Sequence, residues 1–226
     1  MWWTWFDAHR SFWQEVVTHK REGRRLRRVV MNSSQPIMLS IGSGRYLQPG
    51  WIGIDYKRSE KIFACNLERP IPLPNGCVDG LLAEHILEHF MLDDIPQVLR
   101  ECVRILKPGA PLRVVCPDAS IVGEILLGYW TERVAKQIAF DSRIHGWKAD
   151  RYIGLRVANR IAYQFGQHKA LLTADSVSSL LKQAGLKGVT VVHPLETAYF
   201  GSVPGTHFDR FPDSTQEAFA VEGRRQ

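Results

Sequence analysis

The chain has 226 residues, which suits one domain with a short appendage. Apolar residues make up 45% and charged residues 23%, the balance of a soluble protein with a core. Cys65, Cys77, Cys102 and Cys116 lie far apart with no C-x-x-C pair, which argues against a disulfide framework or zinc knuckle and points to a reducing, cytoplasmic setting. No stretch approaches the roughly 18 apolar residues of a membrane span, and Asp7, Arg10 and Glu15 interrupt the aromatic N-terminus too early for a secretory signal.

The net charge of +6 is uneven: residues 1–30 hold seven Lys/Arg against three acids, leaving +4, and the other 22 Lys/Arg and 20 acids leave +2. A basic face for nucleic acid is not visible in that pattern, so no nucleic-acid partner is expected.

Residues 1–30 read as a helical segment of their own. Trp2, Trp3, Trp5 and Trp13 precede a basic run from Lys20 to Arg28, and Phe6, Trp13, Val16 and Val17 can share one helical face. The expected role is packing of the aromatics on the domain. Contact with a membrane surface is the alternative, since aromatics beside Lys/Arg also suit an interfacial helix.

From Pro36 short apolar runs alternate with turn signals. Ile37–Ile41, Trp51–Asp55, Lys61–Cys65 and Val78–Ala83 read as strands, with a proline-punctuated loop (Pro70, Pro72, Pro74, Asn75-Gly76) before the fourth. Ile95, Val98, Leu99, Cys102, Val103 and Leu106 mark one face of a helix, with Pro96 in its first turn and Lys107-Pro108-Gly109 as its stop. Leu112–Cys116 is a fifth strand, residues 120–172 are helical and irregular, and Asp175–Ala184 is a short helix. Val189–Val192 is a sixth strand, and Ala218–Val221 is a final edge strand. Continuous apolar strands with a crossover helix predict an α/β, Rossmann-like, mostly parallel sheet of about seven strands with helices on both faces.

Ligands of such sheets bind beyond the carboxyl ends of the strands. Those ends here are Gly42-Ser43-Gly44, Asp55, Asn66 and Glu84-His85. At these residues the chain resembles class I S-adenosylmethionine-dependent methyltransferases, within a subgroup of small members. The resemblance runs through Leu39–Gly44, Gly50–Asp55, Ile71–Pro74, Cys77–Asp79, Ala83–His89 and Arg104–Ala110, then Pro117-Asp118 and Ala184–Leu186, covering about residues 36–195. It implies S-adenosylmethionine as cofactor. Gly42 and Gly44, with Ser43 between them, would face its methionine and ribose. Asp55, with Tyr56 beside it, would take the ribose hydroxyls, Asn66 and Leu67 would flank the adenine, and Glu84 would lie near the methionine amino group.

Two departures stand out. Many family members carry Asp where this chain has Asn66. Only nine residues, Gly42 to Gly50, separate the first two strands, fewer than the dozen or so that a helical crossover needs, so the first helix must shrink to about a turn or be replaced by the N-terminal segment. The same spacing argues against a dinucleotide site.

His85-Ile86-Leu87-Glu88-His89 matches an H-x-x-E-H zinc signature. A zinc hydrolase using His85, Glu88 and His89 is the lesser alternative. The motif starts at a strand end and lacks an evident third ligand, so no metal is expected, and Glu88 and His89 read as a buried hydrogen-bonded pair. A Rossmann-like binding or scaffold protein without catalysis is the other alternative.

The expected reaction is methyl transfer to a small-molecule or glycan acceptor, at a hydroxyl. His85 is the first candidate for the base, followed by Asp118 and by His168 of the region 120–172, which also holds His145 and would form the acceptor lid. Asp118 could equally cap a helix. Tyr129, Trp130, Trp147, Tyr152 and Tyr163 give that region an aromatic content suited to ring stacking or to core filling.

Overall fold

The short apolar runs become the strands of one sheet: β1 (Met38–Ile41), β2 (Ile52–Asp55), β3 (Ile62–Ala64), β4 (Gly80–Glu84), β5 (Pro111–Pro117), β6 (Leu186–Val192) and β7 (Ala218–Arg225). The computed structural model describes residues 3–205 and 207–226, with side chains from residue 16 onward except at 212 and 213. Strand order is β3-β2-β1-β4-β5-β7-β6; β1 to β5 run parallel, and β7 is antiparallel to both β5 and β6. The Ala218 run is therefore an interior strand, not the edge strand expected, and β6 takes the edge. Glu222 and Gly223 hid its length in the sequence, yet both are buried.

Side chains alternate across the sheet, and the two faces differ. Leu39, Ile41, Leu81, Ala83, Leu112, Val114, Phe219 and Val221 build the main core. Three helices cover it: the second half of α1 (Trp3–Met31) through Leu26 and Val30, α2 (Ile95–Ile105), and α6 (Ala174–Gln183) through Val177 and Leu181. α2 buries Ile95, Val98, Leu99 and Cys102 of the predicted face, with Ile105 beside them and Val103 only half-buried, and stops where Lys107 N–H turns to the Val78 carbonyl at 2.8 Å. α6 opens on a capping box between Thr173 and Ser176. α1 lies against β3; the aromatic residues of its first half fall outside the described side chains. No helix among the described residues is long and apolar enough to cross a membrane.

The opposite face is covered differently, because no helix stands between β1 and β2. Over Met38 and Gly80 the cover is Phe200, which stacks on Trp51 with ring centroids 6.4 Å apart. Further along this face Arg113 and Glu222, both 0% exposed, pair at 2.6 Å. The region 120–172 forms α3 (Ala119–Leu126), α4 (Glu132–His145) and α5 (Ile153–Tyr163) around a second core of Ile121, Val122, Ile125, Val134, Val157, Ala158 and Ile161. Arg160, bonded to Asp141 at 2.9 Å and to Glu217, and Gln137, bonded to Glu217 at 2.8 Å, tie these helices to the approach to β7.

Two predictions arise here. Arg104 donates to the carbonyls of Ile71 and Leu73, both at 2.8 Å, while Glu101 accepts the Ile71 N–H at 2.8 Å, so the pair pins the proline loop. The Arg104 guanidinium bonded to Glu101, helped by the Ile71 N–H and opposed by burial, holds that carboxyl below its ordinary 4.5. A depressed acid stabilises the fold above its unfolded pKa and loses that contribution as pH falls through the folded value. Glu101→Gln is expected to cost about 1–2 kcal/mol at pH 7 and to flatten the fall in stability below about pH 4.5, read by denaturant titrations across that window.

All four cysteines are free thiols. Burial, with the Glu22 charge assisting at Cys65 and the Glu101 charge at Cys102, pushes both thiols up to about 12, and burial raises Cys116 as well. Cys77 is also raised by burial but is only half-buried. Since the thiolate is the reactive form, a maleimide should label the native protein slowly and at Cys77 alone, and all four after unfolding; mass spectrometry of labelled peptides checks this.

Candidate active site

The strand order reverses between β1 and β4, and an open parallel sheet offers its crevice at such a switch point. A cavity of about 190 Å³ lies there, lined by Gly42, Ser43 and Gly44 after β1, by Glu84 and His85 at the end of β4, and by Ser40 and Leu82 from the face that lacks a crossover helix. Tyr46, Gln48 and Trp51 of the β1–β2 loop and His207 and Arg210 of α7 (His207–Arg210) complete the wall.

The two glycines are needed for different reasons. Gly42, at φ +65°, would put a Cβ 2.4 Å from Ile86, so its missing side chain is filled by protein. Gly44, at φ +58°, has nothing within 4 Å of a Cβ and leaves its space open. The Gly44 N–H donates to Asp55 Oδ2 at 2.9 Å, and Lys57 N–H to Oδ1 at 3.2 Å. The Asp55 carboxylate thus shapes the glycine turn and keeps lone pairs for a ligand.

At the β4 end His85 is a non-glycine residue at positive φ (52°), a conformation that costs about 1–2 kcal/mol and recurs at functional sites. Its ring lies on His207 with centroids 4.1 Å apart, and its Nδ1 is 3.4 Å from Glu88 Oε1. Burial disfavours charge on His85, but Glu88, with Glu84 and Glu217, outweighs it and raises the imidazole above its ordinary value. His207 goes the other way: burial, then the His85, Arg210 and Arg160 charges, push it down to about 2. Because Ser214 Oγ donates to the Phe211 carbonyl, it accepts from His207 Nε2–H at 2.9 Å, which fixes that tautomer. Two adjoining imidazoles with separated proton affinities divide the work: His207 is too weak a base to take a proton at neutral pH, and His85 can.

The α7 segment closes the cavity. His207 N–H donates to Glu84 Oε2 at 3.2 Å, Gln48 Nε2 to the Gly205 carbonyl at 2.9 Å, and Arg210 lies over the Tyr46 ring at 3.9 Å. Tyr46, Gln48, Trp51, His207 and Arg210 escaped the sequence reading. The loop from Gly42 to Gly50 looked like a shortened crossover, and nothing in the sequence signals that residues 205–210 return to β4.

The other sequence candidates lie elsewhere. Tyr56, 70% exposed, is off the cavity wall. Asn66 accepts from Glu68 N–H at 2.8 Å while its own N–H meets His19, and Leu67 is core. Asp118 caps α3 through Ser120 N–H at 3.0 Å and pairs with Arg133 at 2.8 Å. His145 stacks on Trp147 with centroids 4.7 Å apart. His168 donates to the Ile161 carbonyl and stands beside His89. The Glu88–His89 hydrogen bond expected from the sequence does not form; Glu88 faces His85 instead. The H-x-x-E-H stretch is not one helix either. Only Leu87–His89 is helical, a single 3-10 turn, so His85 and His89 do not share a helical face.

A glycine turn, a carboxylate ending β2 and an acid–histidine pair ending β4 gather at the switch point, where open sheets take their ligands. The protein matches the model of the methyltransferase domain family over residues 23–114. It is an enzyme with S-adenosylmethionine as its cofactor. Solved structures share the fold. A methyltransferase of Thermotoga maritima matches at TM-score 0.50 and 15% identity, over 96% of this chain and 95% of that one. One of Archaeoglobus fulgidus matches at TM-score 0.50 and 14% identity, over 95% and 99%. No match is found among proteins of curated function.

The site suits the cofactor's chemistry. An acid (Glu84), a base (Arg210) and the Gly44 turn line the same cavity, a lining that suits a zwitterionic amino-acid end. The cavity is smaller than the roughly 300 Å³ or more of a typical small-molecule pocket, so it would hold only part of the cofactor.

Proposed function

We propose that the protein methylates a hydroxyl of a ring-bearing small-molecule or glycan acceptor, with His85 as the general base. One observation carries this reading: His85, with its proton affinity raised, sits on the wall of the cavity that the glycine turn and Glu84 also line.

The bound cofactor supplies a methyl group activated on a sulfonium. Asp55 would hold the ribose hydroxyls with the lone pairs left by Gly44 and Lys57, and Glu84 the ammonium. The tasks left to the protein are alignment of the acceptor oxygen about 3 Å from the methyl and removal of its proton, which His85 accepts. Glu88, at 3.4 Å from His85 Nδ1, steadies the charge that forms. A ring-bearing acceptor is supported by the α3 to α5 region, the proposed lid, where Tyr129, Trp130, Tyr152 and Tyr163 are all exposed rather than used as core.

The test uses S-adenosylmethionine labelled on its methyl group and a panel of monosaccharide, phenol, amine and carbon-acid acceptors. Label is expected on oxygen, and His85→Gln should lower kcat by about 10²–10⁴ with little change in cofactor affinity. Label confined to nitrogen or carbon, or full activity in His85→Gln, would refute the assignment.

A further inference from the structure

Beyond the cavity, Glu88, His89 and His168 bring one ligand atom each to within 4.8 Å of one another. The first two come from the 3-10 turn after β4. His168 comes from the segment after α5, which Glu88 itself holds: its carbonyl accepts Lys169 N–H at 2.7 Å and Ala170 N–H at 3.2 Å.

Two independent features ask for a cation here. Glu88 is 2% exposed, and neither carboxylate oxygen has a partner in hydrogen-bonding geometry. Its neighbours are the His85 ring at 3.4 Å and the Cys116 thiol. His85 pairs with it only loosely, and a buried carboxylate in so loose a pair gains from a bound cation. His168 Nδ1 lies 2.7 Å from the Ile161 carbonyl. A carbonyl only accepts, so Nδ1 carries the proton and Nε2 presents its lone pair. An imidazole oriented by a carbonyl in this way is the usual outer support of a metal ligand.

We propose that Glu88, His89 and His168 bind a divalent transition-metal ion. Two imidazoles and a carboxylate favour zinc, manganese or cobalt over magnesium and calcium, which take all-oxygen sites. With bonds of about 2.0–2.2 Å, the ion would draw the ligand atoms together from their present separation. Three protein ligands leave a coordination position open, and both histidines are partly exposed, which gives access. His85 connects this site to the cavity, so the open position suits an oxygen of the acceptor. That role rests on the methyl-transfer reading; metal binding does not. The ligand set also differs from the His85, Glu88 and His89 expected of a zinc hydrolase.

Chelator-stripped protein is titrated with Co²⁺, followed by visible absorption, and with Zn²⁺, followed by calorimetry. One ion per chain is expected, bound at least about 100-fold more weakly by His89→Ala and by His168→Ala, with the affinity for S-adenosylhomocysteine kept. Should either alanine variant fail to fold, Glu88→Gln, which preserves shape, is expected to show the same loss. No saturable binding by the wild type, or equal binding by the variants, overturns the proposal. Metal binding without methyl transfer to any acceptor would leave this site standing and remove only its role.

Discussion

Glu222→Ala is expected to lower stability by about 3–5 kcal/mol, the cost of stranding a buried charge. Its partner Arg113 is fully buried, donates to Glu222 at 2.6 Å, and reaches the Pro194 carbonyl at 2.6 Å and that of Glu196 at 2.7 Å. Glu222 in turn accepts from Thr197 Oγ1 at 3.0 Å and from the N–H groups of Ala198 and Tyr199 at 2.8 and 3.1 Å. The substitution therefore leaves a guanidinium uncompensated and frees the 194–200 segment from β7. Replacing both charges with apolar residues, Arg113→Met with Glu222→Leu, should recover only part of the loss. The core term is restored by packing, but the carbonyls and N–H groups of residues 194–200 lose their partners. Denaturant midpoints of the two variants separate these contributions. Phe200 ends that segment and stacks on Trp51 of the cavity wall, so weaker cofactor binding should accompany the Glu222→Ala loss.

The second large effect is on binding. Asp55→Ala should weaken S-adenosylhomocysteine binding by about 100-fold or more, since two charge-assisted contacts to ribose hydroxyls are worth roughly 1.5–3 kcal/mol each. The change also removes the acceptor that shapes the Gly44 turn at 2.9 Å. Gly44→Ala tells the two causes apart. The added methyl meets no protein atom within 4 Å, and φ is +58°, so the fold should lose only about 1–2 kcal/mol. The cofactor, however, must approach that turn closely, and its affinity should fall at least about tenfold. Gly42→Ala is the contrasting case: its Cβ collides with Ile86 at 2.4 Å, so stability rather than binding should record the damage. Calorimetric titration beside thermal unfolding of the three variants checks the pattern.

Much of the fold could be read from residue order because each signal was local. The apolar runs at β1, β2 and β5 and the face of α2 from Ile95 to Cys102 appear close to where periodicity puts them. β7 was misplaced for a physical reason: Glu222 looks solvent-exposed until its partner Arg113, 109 positions away, is known. The site divides along the same line. Gly42, Ser43, Gly44, Glu84 and His85 follow strand ends, where the rule for open sheets looks, and the structure brings them onto one wall. His207, Arg210 and Gln48 arrive through loop closure, which leaves no periodic trace. The Glu88, His89 and His168 grouping is another case. His168 follows Glu88 by 80 positions, and backbone hydrogen bonds from Lys169 and Ala170 to Glu88 bring it back.

A crystal structure with S-adenosylhomocysteine bound puts the central claim at most direct risk. The homocysteine end should lie between the Gly44 turn and Glu84, with both ribose hydroxyls on the Asp55 carboxylate. Product found away from the β1–β4 crevice, or an Asp55 side chain still bonded only to Gly44 and Lys57 when product is present, would contradict it.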